Sequence, residues 1–389
     1  MTLPFDRPGP LSPPPEYARL RETAPVARVR TPDGRPAWLV TSYDAVTTVL
    51  SDRRFGLAPP GTAYPGNDTL FQDGAAHARL RRLVSKAFSP RGVEALRGRA
   101  ERLADEHVAA LAAAGPTAEL VAGLAAPLSI TVIGELLGVE LGDRDRFRAV
   151  ADAASGADFV FGTEEEVARA ARGWEELAAY AATLVEARRE APGDDLLSSL
   201  IAVRDAEDGR LSDGELVAMT ATIVSAGYLS ARNAMSTAAL RLLTEGRLAG
   251  LAGATPEQLG ATVEEVLRMQ AGLTGEPFPR YAQTGLDLAG AAIAAGDLVL
   301  VRLEAAHRDP RHFAAPDTFQ PERRSSPSLV FGHGMHYCLG APLARLELAA
   351  ALGALARRLP GLRLAGSVED VEWVRDGVDL GPAALHVTW

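Results

Sequence analysis

The chain has 389 residues, 47% hydrophobic and 23% charged, with a formal net charge of −10, a mix that folds as a soluble globular protein of one large or about two to three average domains. Its acidity argues against general nucleic-acid binding, and no stretch of about 18 uninterrupted apolar residues predicts a membrane span. A single cysteine excludes an intramolecular disulfide and fits a reducing compartment.

The opening "MTLPFDRPGPLSPPPEYARL" sets acid and proline where a signal peptide needs basic and then apolar residues, so a cytoplasmic protein is expected. The first 75 residues are rich in proline and glycine and read as loop-heavy, with a short strand at "AWLVTSY" (37–43). From His77 to about Arg358 most segments have helical periodicity. Ser212 and Glu215 form a capping box before a helix predicted to run to Gly246. That helix would be roughly 45–50 Å long, and it is apolar almost all round at its centre, which predicts burial. Thr255, Pro256 and Gln258 open a second helix, in which Glu265 and Arg268 are three apart and share a face. Short strands are expected near 286–303 and in the C-terminal "AALHVTW". No internal repeat and no long polar linker divides the chain. The expectation is a mainly α fold with small β-sheets, forming one large domain over 1–389. Lys86 is the only lysine, and with so much alanine the composition points to a GC-rich bacterial gene.

The one cysteine, Cys338, lies in "FGHGMHYCLG". A lone cysteine is more often a small buried hydrophobe. Here Gly332, Gly334 and Gly340 allow tight turns and close backbone approach, and "APLARLELAAALGALARRL" follows as a strong helix with Pro342 suited to its first turn. Free N–H groups and the positive end of a helix favour a thiolate. Such a thiolate serves as a nucleophile or as a metal ligand. A nucleophile needs a base and an orienting acid, and His333 and His336 are near enough in sequence to keep a cysteine–histidine hydrolase or transferase open. Structural zinc needs about four ligands, whereas a heme iron needs one axial thiolate.

The pattern Phe331-Gly-x-Gly-x-His336-x-Cys338-x-Gly340 resembles the heme-binding loop of the cytochrome P450 superfamily. Glu265-x-x-Arg268 resembles the family's buried ion pair, and "AAHRDPRHFAAPDTFQPERR" (305–324) resembles the segment leading to the heme loop, with Arg323 completing the ion-pair cluster. "HARLRRLVSKAFSPR" (77–91) resembles the helix beside the heme. These occur in the expected order, and the likeness is greatest to bacterial members.

The resemblance implies a heme-thiolate monooxygenase domain carrying heme b (iron protoporphyrin IX), with Cys338 as the axial, metal-binding thiolate and Phe331 shielding the iron–sulfur bond. Backbone after Cys338, at Gly340 and its neighbours, would tune the sulfur, and Gly332 belongs to the same cofactor-binding loop. His77, Arg81, Arg280 and His336 are the expected partners of the propionates. Glu265, Arg268 and Arg323 are expected to be structural. "SAGYLSARN" corresponds to the oxygen-binding stretch, with Ala226, Gly227 and the alcohol Ser230 as catalytic candidates. The acid position holds Leu229, which cannot relay a proton. Substrate hydroxyls or ordered water, or Arg232 or Asn233, are candidate replacements. Oxidative coupling, ring closure without oxygen insertion, a peroxide-driven reaction and heme or carrier binding without turnover are the alternatives.

Substrate specificity is expected in the loops at 56–75, 155–166, 271–278 and 376–382, with Phe159, Phe161 and Tyr228 as candidate contacts that could equally be core. The substrate is expected to be a small natural product, free or presented on a carrier protein, with no nucleic acid or membrane partner. No glycine-rich flavin or nicotinamide fingerprint occurs, so electrons are expected from a ferredoxin and its ferredoxin reductase. Arg79, Arg82, Lys86 and Arg91 would form a docking patch or else a solvated helix face.

Overall fold

The computed structural model describes residues 1–62, 69–85, 88, 90–154, 162–206, 211–323, 326–374 and 380–389, and among them are twelve α-helices, two of which, Pro15–Thr23 and Tyr43–Ser51, fall in the N-terminal stretch expected to be loop-heavy. In chain order they are α1 (Pro15–Thr23), α2 (Tyr43–Ser51), α3 (Gly74–Ser85), α4 (Pro90–Ala114), α5 (Ala126–Leu136), α6 (Arg144–Ala153), α7 (Glu164–Glu190), α8 (Leu196–Ala206), α9 (Asp213–Thr244), α10 (Pro256–Gln270), α11 (Leu303–Ala306) and α12 (Ala341–Arg358). The strands between them are short, so the fold is mainly α with small sheets. None of the described helices is long and apolar enough to cross a membrane.

Capping sets the ends of the long helices. At the start of α9 the Ser212 hydroxyl accepts from the Glu215 amide at 3.0 Å, and the Glu215 carboxylate accepts from the Ser212 amide at 2.8 Å. Two donors that a helix start leaves orphaned are thereby satisfied. The helix ends at Thr244, and Gly246 follows with φ +65°, the left-handed stop that glycine takes without a Cβ clash. Thr255 and Gln258 do the same for α10, with Pro256 in the first turn. A third capping box, Thr163 with Glu166, opens α7.

The chain forms two compact units. The first comprises Met1–Pro65, Ala254–Cys338 and Val368–Asp370; the second comprises Gly66–Gly253, Leu339–Ser367 and Val371–Trp389. In the first unit, Val26–Arg30 pairs antiparallel with Pro36–Val40, which runs parallel to Leu298–Val301. Arg280–Ala282 and then Phe55–Gly56 extend the sheet on the far side. Val40, Val46, Ala282, Val299, Ala306 and Phe313 form its core. The strand expected at 37–43 stops at Val40, because Ser42 takes the N-cap position of α2 with extended backbone and Tyr43 is already helical. The strand at Arg280–Ala282 went unread, since three residues flanked by proline carry too little pattern.

In the second unit α9 is surrounded by α5, α7 and α12, and α12 also packs on α4. Contact on several sides explains why α9 has no single apolar stripe. The C-terminal strand is His386–Thr388, lying between Thr117–Glu119 and Arg363–Leu364.

Candidate active site

The loop that ends in Cys338 is held by its own backbone. The Gly332 amide donates to Leu329 O at 2.8 Å, and the Cys338 amide donates to Phe331 O, also at 2.8 Å. Gly334 has φ +72°, and a Cβ there would lie 2.7 Å from the carbonyl oxygen of Leu50. Only glycine meets both conditions. A 3-10 turn over Gly334–His336 follows, leaving His336 half-buried. Cys338 is exposed and forms no disulfide, so the reading as a buried core residue fails. Phe331 and Gly332 are half-buried. Arg280 is buried at the sheet, and one guanidinium nitrogen donates to Phe278 O at 2.5 Å.

Gly340 differs from the other loop glycines. It is the N-cap of α12 with φ −81°, and a Cβ at that position would meet nothing within 4 Å. The chain's own turn and packing do not require glycine there, contrary to the expectation of a tight turn. Pro342 lies in the first turn of α12, as read from the sequence.

The ion-pair cluster is present in the first unit. Arg268 donates to both oxygens of Glu265, and Arg323 and the Gln320 amide donate to Oε1 at 3.2 and 2.9 Å. Burial pushes the Glu265 carboxyl up, but the bonds from Arg268, Gln320 and Arg323 outweigh it and the net shift is downward. Arg268 also donates to His307 O at 2.7 Å and to Pro316 O at 2.8 Å.

Two further titratable groups of this unit, the half-buried Glu276 and the buried His307, escaped the sequence reading. Glu276, in the 271–278 loop, accepts from the Leu303 amide at the start of α11 at 2.8 Å. Burial raises its carboxyl to about 7 against the pull of Arg302 and the helix amides, and Glu304 raises it further. Glu304 itself is paired with Arg7 at 2.6 Å. His307 accepts from the Leu329 amide at 2.7 Å. Burial pulls its imidazole down to about 3, helped by Arg268 and Arg308. Glu276 lies in a loop read for substrate specificity and His307 in the segment 305–324, and neither stretch signals these contacts.

In the second unit α9 carries the stretch expected to face oxygen. Ala226 is exposed and Ser230, one turn on, is half-buried, although most of the helix is buried. Gly227 fits because a Cβ there would lie 2.4 Å from Cδ1 of Ile133 on α5. Ser129 of α5 donates to Tyr228 O at 2.8 Å. Leu229 is buried, and the Ser230 hydroxyl donates back to Ala226 O at 2.5 Å. Arg232 Nε donates to Asn233 Oδ1 at 3.1 Å, so these two relay candidates are joined to each other. Tyr228 is fully buried, which favours its core reading.

On α3, His77 is buried with Nδ1 3.1 Å from Leu70 O, and Arg81 is half-buried. Of the expected docking patch, Arg79 is bonded to both carboxylate oxygens of Glu215, so it is not a spare positive charge, and Arg82 is exposed. Lys86, Phe159, Phe161 and the side chain of Arg91 lie outside the described residues.

A profile of the family described as Cytochrome P450 matches residues 257–359. The chain is 41% identical over 381 residues to mycinamicin IV hydroxylase/epoxidase of Micromonospora griseorubida, covering 96% of this chain and 94% of that one. It is 38% identical to nocardicin C N-oxygenase of Nocardia uniformis subsp. tsuyamanensis, covering 100% and 98%. Among solved structures, the LnmA cytochrome P450 hydroxylase of the leinamycin pathway of Streptomyces atroolivaceus superposes with a TM-score of 0.89 at 39% identity, with both chains covered in full.

Proposed function

The chain belongs to the cytochrome P450 superfamily and is a P450 monooxygenase that uses heme iron, and on that premise we propose that it holds heme b through Cys338 and hydroxylates or epoxidises a small natural product. The observation that carries this reading is the only cysteine of the chain, exposed at the end of a loop that its glycines and backbone bonds hold in shape. The donor set suits heme, because one protein thiolate completes what the porphyrin nitrogens begin. The open space at Gly340 suits it too, since a bound group gives the glycine a reason that the chain alone does not. The natural-product reading is supported by relatives named for mycinamicin and nocardicin oxidation. Both compact units are proposed to serve one catalytic domain, 1–389.

When bound, heme supplies the iron at which dioxygen is activated and from which oxygen reaches the substrate. The remaining roles belong to this chain's residues. Phe331 shields the sulfur from water, and Gly332 keeps its backbone in the required turn. Arg280, His336, His77 and Arg81 hold the two propionates by charge-assisted hydrogen bonds. His77 is held in place by donation from Nδ1 to Leu70 O. Ala226 and Gly227 keep one face of α9 slim.

With its proton directed to Ala226 O, Ser230 Oγ offers lone pairs to an incoming donor. Leu229 cannot be that donor. We therefore assign the role to ordered water or a substrate hydroxyl that hydrogen-bonds to Ser230. A ferredoxin and its reductase supply electrons, and the enzyme works in the cytoplasm.

The test is the ultraviolet–visible spectrum of purified ferric protein titrated with aromatic, macrolide-like and peptide metabolites. A Soret band that shifts from low to high spin with one compound class supports the reading and identifies that class. No Soret band in heme-supplied protein overturns it and returns Cys338 to the nucleophile reading.

A further inference from the structure

His307 stands 31 residues before Cys338 in sequence, yet its ring reaches the backbone that carries the thiol. Its Nε2 accepts from the Leu329 amide at 2.7 Å, and Ser328 Oγ lies 3.4 Å from the same nitrogen. Leu329 O in turn accepts from Gly332, and Phe331 O accepts from the Cys338 amide, each at 2.8 Å. Three hydrogen bonds thus join the imidazole to the peptide of Cys338, all within the first unit.

The ring is held from the other side as well. Arg268 of the ion-pair cluster donates to His307 O at 2.7 Å. Phe313 meets the imidazole edge to face at 5.6 Å and also lies under the Arg268 guanidinium at 5.4 Å. An acceptor at Nε2 requires the neutral tautomer with its proton on Nδ1. That Nδ1 is buried and has no hydrogen-bond partner among the described residues. A core residue chosen only to fill space would be apolar and would not bury an unpartnered N–H. The imidazole is therefore explained by the acceptor it offers to Leu329.

We infer that His307 is a positioning residue for the thiolate, anchoring Leu329 and through it the backbone of Phe331 and Cys338. The inference rests on the assignment of Cys338 as the heme ligand. The role is of the kind that hydrogen-bonding groups behind a metal ligand play in fixing its orientation.

The experiment compares His307→Leu and His307→Gln in heme-loaded protein, with two readouts. One is the Soret band of the ferrous carbon monoxide adduct, which distinguishes thiolate from protonated or displaced sulfur. The other is amide hydrogen exchange over 326–338 relative to α10. In H307L the thiolate band is expected to give way to the neutral-thiol band, and exchange over 326–338 to rise about tenfold while α10 is unchanged. H307Q, whose Oε1 reaches the place of Nε2, is expected to keep both properties. Wild-type band and exchange in H307L overturn the inference.

If H307L takes up no heme, the comparison passes to His307→Gln and His307→Asn, whose shorter amide matches Nδ1 instead. Retention of the thiolate band by Gln above Asn supports the inference, and Gln no better than Asn overturns it. Cys338→Ser separates the two levels. If it leaves the wild-type band unchanged, the ligand assignment itself fails, whatever the His307 variants do.

Discussion

Arg268 donates to both carboxylate oxygens of Glu265, at 2.8 and 3.0 Å, from one turn further along the same helix. Both side chains are almost wholly buried, and Arg323 closes on the same carboxylate. Removing one partner leaves the other charge in low dielectric without its counter-ion. Arg268→Ala is therefore expected to cost about 3–5 kcal/mol. Arg268→Lys should also be costly, because an ammonium cannot reproduce the planar fork. Denaturant unfolding and heme content of the purified variants check this; an A-variant as stable as the wild type would contradict the pairing.

Two carboxylates of the first unit, Glu265 and Glu276, respond to pH in opposite senses. The carboxyl of Glu265 is lowered from 4.5, so its contribution is present above that pH and is lost as pH falls through the folded value. That of Glu276 is raised from 4.5 to about 7, so its favourable contribution is greatest below 4.5 and is lost as pH rises to about 7. Glu276→Gln, which carries no charge at any pH, is expected to gain stability relative to wild type between about pH 5 and pH 8. Unfolding curves of both proteins at the two pH values test it. A difference that does not change with pH would remove Glu276 from the list of groups titrating there.

Gly334→Ala forces a left-handed backbone on alanine, which costs about 1–2 kcal/mol, and sets a Cβ against Leu50 O. A loss of at least that size in denaturant unfolding is expected, together with faster heme loss. Gly340→Ala, at φ −81° with open space around the added atom, should leave the unfolding of heme-free protein within about 0.5 kcal/mol of wild type and weaken heme retention alone.

Leu229→Glu returns an acid to a position where the wild type has only hydrocarbon. Product formed per dioxygen consumed, and the solvent deuterium isotope effect on turnover, are expected to change. Unchanged values would mean that Leu229 is core packing with no bearing on proton delivery.

Cys338→Ala is expected to abolish the thiolate-type spectrum while the capping boxes and ion-pair cluster keep the fold. Circular dichroism beside the heme spectrum separates loss of the ligand from loss of the protein.

Much of the fold follows from local chemistry that a sequence displays. Ser212 with Glu215, and Thr255 with Pro256 and Gln258, mark helix starts because their hydrogen bonds span three residues of one chain segment. The pairing of Glu265 with Arg268 is legible for the same reason, being set by helix periodicity. The candidate ligand was legible because only one thiol exists and its neighbours form a family pattern.

Contacts between distant segments were decided by the tertiary structure. Nothing around His307 announces that its ring meets the amide of Leu329, nor around Glu276 that it caps α11, nor around Arg79 that Glu215 takes its charge. Gly334 reads as one glycine of a loop until the approach of Leu50 O shows why no other residue fits. Short-range periodicity and capping act within a few residues of backbone and so are written in the sequence. Burial, pKa shifts and long-range hydrogen bonds depend on which segments the folded core brings within about 3 Å of each other, and only the three-dimensional arrangement determines that.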